Sequence, residues 1–280
     1  MDAIAVNGVE LAVRTTGDGP LLVLVHGFPH TGAVWSQVAA AMSVDHRVVV
    51  PDLRGFGAST RTAEGLDADT LSRDLEELIG TGPATVVAID AAVPPAFLLG
   101  LRRPDLLTRL VLVEATLGSL PGAEAFAAGG PPWWFGFHQV PGLAERVLAG
   151  HEDEYVGWFY DQGTRHRGVR PDLRAELGAA FAEPGALACA LGYYRALPES
   201  DRQLHDAVAR ARLAVPTTAI GAAPVGRALE VQLAGVADDL TGHLIEDCGH
   251  IVPVDRPDAL VALLRQDPTV TVTAPGSAAS

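Results

Sequence analysis

Apolar residues along this chain gather in short unbroken blocks. Leu21 to Val25 reads LLVLV, residues 47–50 read RVVV, residues 84–89 ATVVAI and residues 109–114 RLVLVE. Runs this short, rich in β-branched side chains and apolar at nearly every position, predict strands covered on both faces. Between them the spacing turns helical: from about Val34 to Met42, over 69–79 (DTLSRDLEELI, with an aspartate placed to cap), and after Asp90 to about Arg102. Strands alternating with helices need crossover connections and therefore a parallel sheet. The opening stretch, MDAIAVNGVELAVRTTG, instead reads as a hairpin turning at Asn7-Gly8.

The rhythm breaks after residue 114. From 115 to 207 there are aromatic residues and helical patterns (PGLAERVLAG, EDEYVGWFY, RPDLRAELGAAFA, GALACALGYYRAL) but no apolar strand run. Alternation resumes with VPTTAIG (215–221), then GHLIEDCGHIVPVDRP, then a helix from about Pro257 to Gln266. Two segments of one α/β core, 1–114 and 208–280, thus bracket a helical lid, 115–207. The final TVTAPGSAAS reads as a frayed tail.

Composition narrows the function classes. The chain has 280 residues, 48% hydrophobic, and a formal net charge of −14, with all twenty basic residues arginine. Such a charge repels phosphate backbones and anionic bilayers, which argues against nucleic-acid and membrane partners. Two cysteines, Cys189 and Cys248, make neither a disulfide framework nor a metal site. With no leader-like start and no membrane-length apolar run, a soluble cytoplasmic protein is expected. A homodimer is left open.

In an open parallel sheet, ligands bind beyond the carboxyl ends of the strands. Few ionisable residues stand there. Asp90 follows the third buried run, Glu114 ends the fourth, and His250 lies in the loop after the last. Acid, acid and histidine in that order fit a nucleophile, an orienting group and a base. Alternatives stay open at this level. Asp90 could merely cap the following helix, His243 is the nearest rival base, and Asp238 or Asp239 could replace Glu114 as orienter. There is no G-x-S-x-G, which removes ordinary serine esterase chemistry.

Taken together, HGFP (26–29), DLRGFGAS (52–59), the Asp90 elbow, FHQVPGLAERVLAG (137–150), YYRA (193–196) and CGH (248–250) resemble the epoxide hydrolase and dehalogenase branch of the α/β-hydrolases. The resemblance covers Val9 to Gln266. It implies an α/β-hydrolase fold with a mostly parallel eight-stranded sheet, helices on both faces and a helical lid. It also implies a small hydrophobic epoxide as substrate and needs no metal or organic cofactor. The chain departs from the family's usual elbow, carrying alanines in place of glycines and Val93-Pro94-Pro95 behind the acid.

Under the resemblance, Asp90 attacks an oxirane carbon. His250, held by Glu114, activates the water that cleaves the ester, and the N–H groups of Phe28 and Ala91 form the oxyanion hole. Tyr194, with Trp133 and Trp134, binds the opening oxygen; Tyr193 is the alternative tyrosine. His26 braces its loop, and Asp52 and Arg54 pair with each other. His138, Tyr155 and Tyr160 serve packing. The tandem tryptophan with a lid tyrosine is similar to epoxide hydrolases of bacterial angucycline-type polyketide biosynthesis, a group tied to antibiotic production. A dehalogenase with the same nucleophile, or a non-catalytic binding protein on the same fold, would keep most of these residues.

Overall fold

A computed structural model describes residues 1–266; the TVTAPGSAAS tail lies outside the described residues. Asn7 and Gly8, both at positive φ, turn β1 (Asp2–Val6) back on β2 (Val9–Thr16), as the hairpin signal requires. Then come β3 (Leu21–Val25), α1 (Ser36–Met42), β4 (Arg47–Pro51), α2 (Ala68–Ile79), β5 (Ala84–Ile89), α3 (Val93–Arg102) and β6 (Leu107–Val113). The aspartate that caps α2 is Asp67, whose side chain accepts from the Thr70 N–H; Asp69 falls in the first turn. β6 starts two residues before the apolar run, and Glu114 stands just past its end.

Among the described residues no strand lies between β6 and β7 (Thr217–Gly221). The insertion holds α4 (Glu124–Ala127), α5 (Trp133–Gln139), α6 (Leu143–Leu148), α7 (Glu152–Gly163), α8 (Pro171–Ala182) and α9 (Ala186–Val208), the last running past residue 207. After β7 follow α10 (Ala228–Ala234), β8 (Leu240–Leu244), α11 (Val252–Asp255) and α12 (Pro257–Leu264).

The eight strands form one sheet in the order β1-β2-β4-β3-β5-β6-β7-β8. The hairpin strands join antiparallel, and all pairs from β4 to β8 are parallel. The α/β-hydrolase fold is therefore present, with a helical insertion. β4 and β5 flank β3 on opposite sides, so strand order reverses at β3, and the loops after β3 and β5 open a crevice there. Val23 to Val25 and Val86 to Ile89 are fully buried, which explains why these strands read as unbroken apolar runs. Tyr160, Leu177, Leu191 and Tyr194 of the insertion belong to the same buried cluster.

Candidate active site

The site begins with a strained residue. β5 ends at Ile89, and Asp90 then adopts φ +55° before a short 3-10 turn leads into α3. A non-glycine residue there costs roughly 1–2 kcal/mol, least for Asp and Asn. The tight turn is possible because its neighbours are small: Ala88 and Ala92 are wholly buried. Gly27 contributes from the facing loop, since a Cβ on it would collide with Asp90 Oδ1 and lie 2.7 Å from the Ala91 nitrogen. Pro94 and Pro95 fall in the first turn of α3, where no N–H is needed, so the helix accommodates both.

The Asp90 carboxylate points into the crevice. Its Oδ1 accepts the Phe28 N–H at 2.7 Å, and the Ala91 N–H also supports it. Those two donors would sit at a developing oxyanion. His26 holds their loop: its Nε2 accepts the Leu53 N–H at 2.9 Å, which leaves Nδ1 to donate to the Gly27 carbonyl, 2.9 Å away.

His250 reaches the same carboxylate from the loop after β8. Its Nε2 lies 3.0 Å from Asp90 Oδ2, and its Nδ1 lies 3.8 Å from Glu114 Oε1. Glu114, fully buried at φ +49°, is held by the loop after β7. Oε1 accepts the Val225 N–H at 2.8 Å, and Oε2 accepts the Ala222 N–H. That loop carries no acid; it grips the acid of the neighbouring strand instead. Burial disfavours charge on His250, but Asp90 and then Glu114 outweigh it and push its pKa up to about 10. Burial alone would raise Asp90, yet the His250 hydrogen bond and charge hold it below the ordinary carboxylate range. The resting pair is therefore carboxylate and imidazolium.

Above this pair lies a cavity of about 650 Å³ whose walls include Phe28, Trp134, Phe135, Phe159, Tyr193 and Tyr194. No arginine borders it among the described residues. Tyr194 is 4% exposed, and Trp134 borders the cavity with it. Burial, then the charge of Asp90, raises its pKa well above the usual tyrosine value, so the phenol keeps its proton. Tyr193 borders the same cavity.

Trp133 does not. It is 57% exposed and packs edge-on against Trp134 and Trp158, outside the cavity lining. Successive residues of a helix diverge by about 100°, and of the two tryptophans of α5 it is Trp134 that turns inward. The pairing of Asp52 with Arg54 is also corrected. Arg54 forks onto Asp74 of α2 at 2.6 and 2.8 Å, whereas Asp52 accepts the N–H groups of Gly32 and Ala58.

The remaining sites stand apart from the chemistry. His243 lies within β8 and does not border the cavity; Asp238 pairs with Arg212 at 2.6 Å; Asp239 gives its carbonyl to the Thr217 N–H. His138 bonds Tyr155 at 2.5 Å, and Tyr160 donates to the Pro29 carbonyl at 2.8 Å. His30 escaped the sequence reading. It is buried and borders the cavity, and its signal was a histidine immediately after HGFP. Among the described residues no cluster of His, Cys, Asp or Glu is arranged for a metal ion, and no helix is long and apolar enough to cross a membrane.

Known proteins bear on this geometry. A soluble epoxide hydrolase of Corynebacterium sp. is 26% identical over 91% of this chain and 92% of its own length. Fluoroacetate dehalogenase of Burkholderia sp. is 26% identical over 69% of this chain and 67% of its own. Among solved structures, Cfl2 of Burkholderia cenocepacia superposes with a TM-score of 0.84 at 29% identity, covering 94% of this chain and 93% of that one. The Cif epoxide hydrolase of Acinetobacter nosocomialis gives 0.85 at 25% identity, covering 94% and 87%. The family model described as "Alpha/beta hydrolase family" matches residues 22–263. With the sheet, the elbow and this match in agreement, the chain belongs to the alpha/beta hydrolase family, as a hydrolase whose relatives include epoxide hydrolases.

Proposed function

We propose that the protein is an epoxide hydrolase that opens an oxirane to a vicinal diol through an ester on Asp90. One observation carries this reading: a short carboxylate at positive φ, one oxygen on the Phe28 N–H and the other 3.0 Å from His250, beneath an apolar cavity that also holds a protonated tyrosine. Residues 115–207 act as the lid over a core that, among the described residues, takes in 1–114 and 208–266.

The proton count closes on these residues. Asp90 Oδ2 attacks an oxirane carbon, and the C–O bond breaks. Tyr194, steadied by Trp134, gives its proton to the leaving oxygen and is reprotonated from His250. The ester no longer carries the charge that made His250 basic, so the imidazole is now neutral and ready to act. It takes a proton from water, whose oxygen attacks the ester carbon while Phe28 and Ala91 hold the oxyanion. Collapse expels the diol oxygen, which His250 protonates. Asp90 returns its acid proton to His250, and the ion pair is restored. Glu114 orients the ring throughout.

The aromatic walls suit a flat, multi-ring oxirane. That supports, as the finer reading, a polycyclic substrate of the aromatic polyketide kind. One turnover in heavy-oxygen water tests the mechanism. Label should enter the Asp90 carboxylate and be absent from the first diol; diol labelled in the first turnover would refute the ester.

Dehalogenation is the second reading, favoured by the Trp134–Tyr194 pair, whose donors would also hold a halide. A haloacid, however, brings a negative charge into a cavity bordered by Asp90, Glu114 and Asp201 and, among the described residues, by no arginine. Release of halide from haloalkanes or haloacids, with no turnover of oxiranes, would reverse the order. If the fold only binds ligand, Asp90→Asn will leave its biological effect intact.

A further inference from the structure

His30 sits in the loop after β3 and is 1% exposed. Neither ring nitrogen has a hydrogen-bond partner among the described residues, although buried polar side chains as a rule have one. The ring is fixed without using its nitrogens. It stacks on Tyr160, with centroids 6.1 Å apart and planes 25° from parallel, while the Tyr160 hydroxyl is committed to the Pro29 carbonyl. It borders the same cavity as Asp90 and His250. Burial pushes its pKa down to about 3, so at neutral pH the ring carries one donor and one acceptor.

We propose that His30 holds the hydrolytic water against the Asp90 ester, sharing it with His250. This rests on the ester mechanism above. One hydrogen of the water goes to His250 Nε2 as its oxygen bonds to the ester carbon. The water's other hydrogen, or a lone pair, is met by a free His30 nitrogen, and that ring exchanges no proton. The bond then broken joins the ester carbon to the oxygen bound to the substrate. Opening of the oxirane consumes no water, so His30 takes no part in it. The two half-reactions therefore separate its contribution from any effect on packing.

His30→Phe keeps the stack and the volume but removes both polar atoms; His30→Gln restores a donor and an acceptor. Styrene oxide, trans-stilbene oxide and phenanthrene 9,10-oxide serve as probes in single-turnover reactions followed by intact-protein mass. In His30→Phe, ester formation should stay within about threefold of wild type, while ester hydrolysis slows about 100-fold, the scale of a misplaced reactant. The adduct on Asp90 should then accumulate. His30→Gln should recover hydrolysis to within about tenfold of wild type. The inference is overturned if His30→Phe hydrolyses the ester at the wild-type rate, if both steps fall in proportion, or if glutamine does no better than phenylalanine. Should the phenylalanine variant fail to fold, His30→Leu is read by the same criteria. His250→Gln separates the two levels. If it traps adduct and His30→Phe does not, only the role of His30 falls. If it traps none from any probe, the ester mechanism falls and takes this inference with it.

Discussion

At the scale of single residues, the Asp90–His250 contact sets the pH response of the site and, under the proposed mechanism, its reactivity. The two carboxylates push the folded pKa of His250 up to about 10, against about 6.5 for an unconstrained histidine. A raised folded pKa means that the contribution of His250 to stability is complete below about pH 6.5 and is lost as pH rises through about 10; Asp90, held below the ordinary carboxylate range, loses its share only in acid, as it protonates. Histidine-detected NMR should show His250 titrating well above pH 7 in the free enzyme, and Asp90→Asn should lower that value; titration near 6.5 in both would contradict the ion pair. Tyr194 supplies the second residue-scale prediction. Tyr194→Phe should slow ester formation by about 10²-fold, within the usual span of general acid catalysis, and leave ester hydrolysis nearly unchanged in rapid-quench measurements. The positions of Asp90, Glu114 and His250 were legible because each is a polar residue isolated at the end of an apolar run. The distant grip on Glu114 by the Ala222 and Val225 amides was not, since backbone donors leave no mark in the sequence.

At the scale of elements, the errors of sequence reading have a common cause: pairing depends on which faces meet. Asp52 and Arg54 are two apart along the chain, yet Arg54 turns to α2 and meets Asp74, which is fully buried. Removing one partner of a buried, forked ion pair costs about 3–5 kcal/mol. Asp74→Ala should therefore lose that much stability in urea unfolding, while Asp52→Ala should leave the Arg54–Asp74 pair in place. α5 gives the complementary case. Trp134 turns into the cavity and Trp133 does not, a divergence that helix geometry already implies for adjacent residues. Trp133→Ala should change kcat/KM by no more than about twofold, and Trp134→Ala should reduce it by about tenfold or more, because Trp134 shapes the cavity wall beside Tyr194 and Trp133 lies outside it. Steady-state kinetics on one oxirane decides between them.

At the scale of the whole molecule, the architecture was the most legible feature. Its inner strands β3 to β7 are too apolar to be anything but buried, and the helical stretches between them are long enough for crossovers. Net charge adds a property that no single contact has. A chain at −14, with a cavity bordered by acids and, among the described residues, by no arginine, should favour neutral oxiranes. An oxirane bearing a carboxylate should show a kcat/KM at least about tenfold below its neutral analogue, and the gap should narrow as salt rises, because screening weakens the repulsion.

Glu114 leans from one strand onto amides of the next, so the acid proposed to orient His250 is shared property of two neighbouring strands. Amides already turned toward a negative charge make the receiving loop a ready berth for an acid of its own. A chain rewired with alanine at 114 and an aspartate in the loop 222–225 should regain part of the turnover lost to the first change alone. Such relocation would let the acid migrate between strands through working intermediates, without redesign of the sheet that carries it.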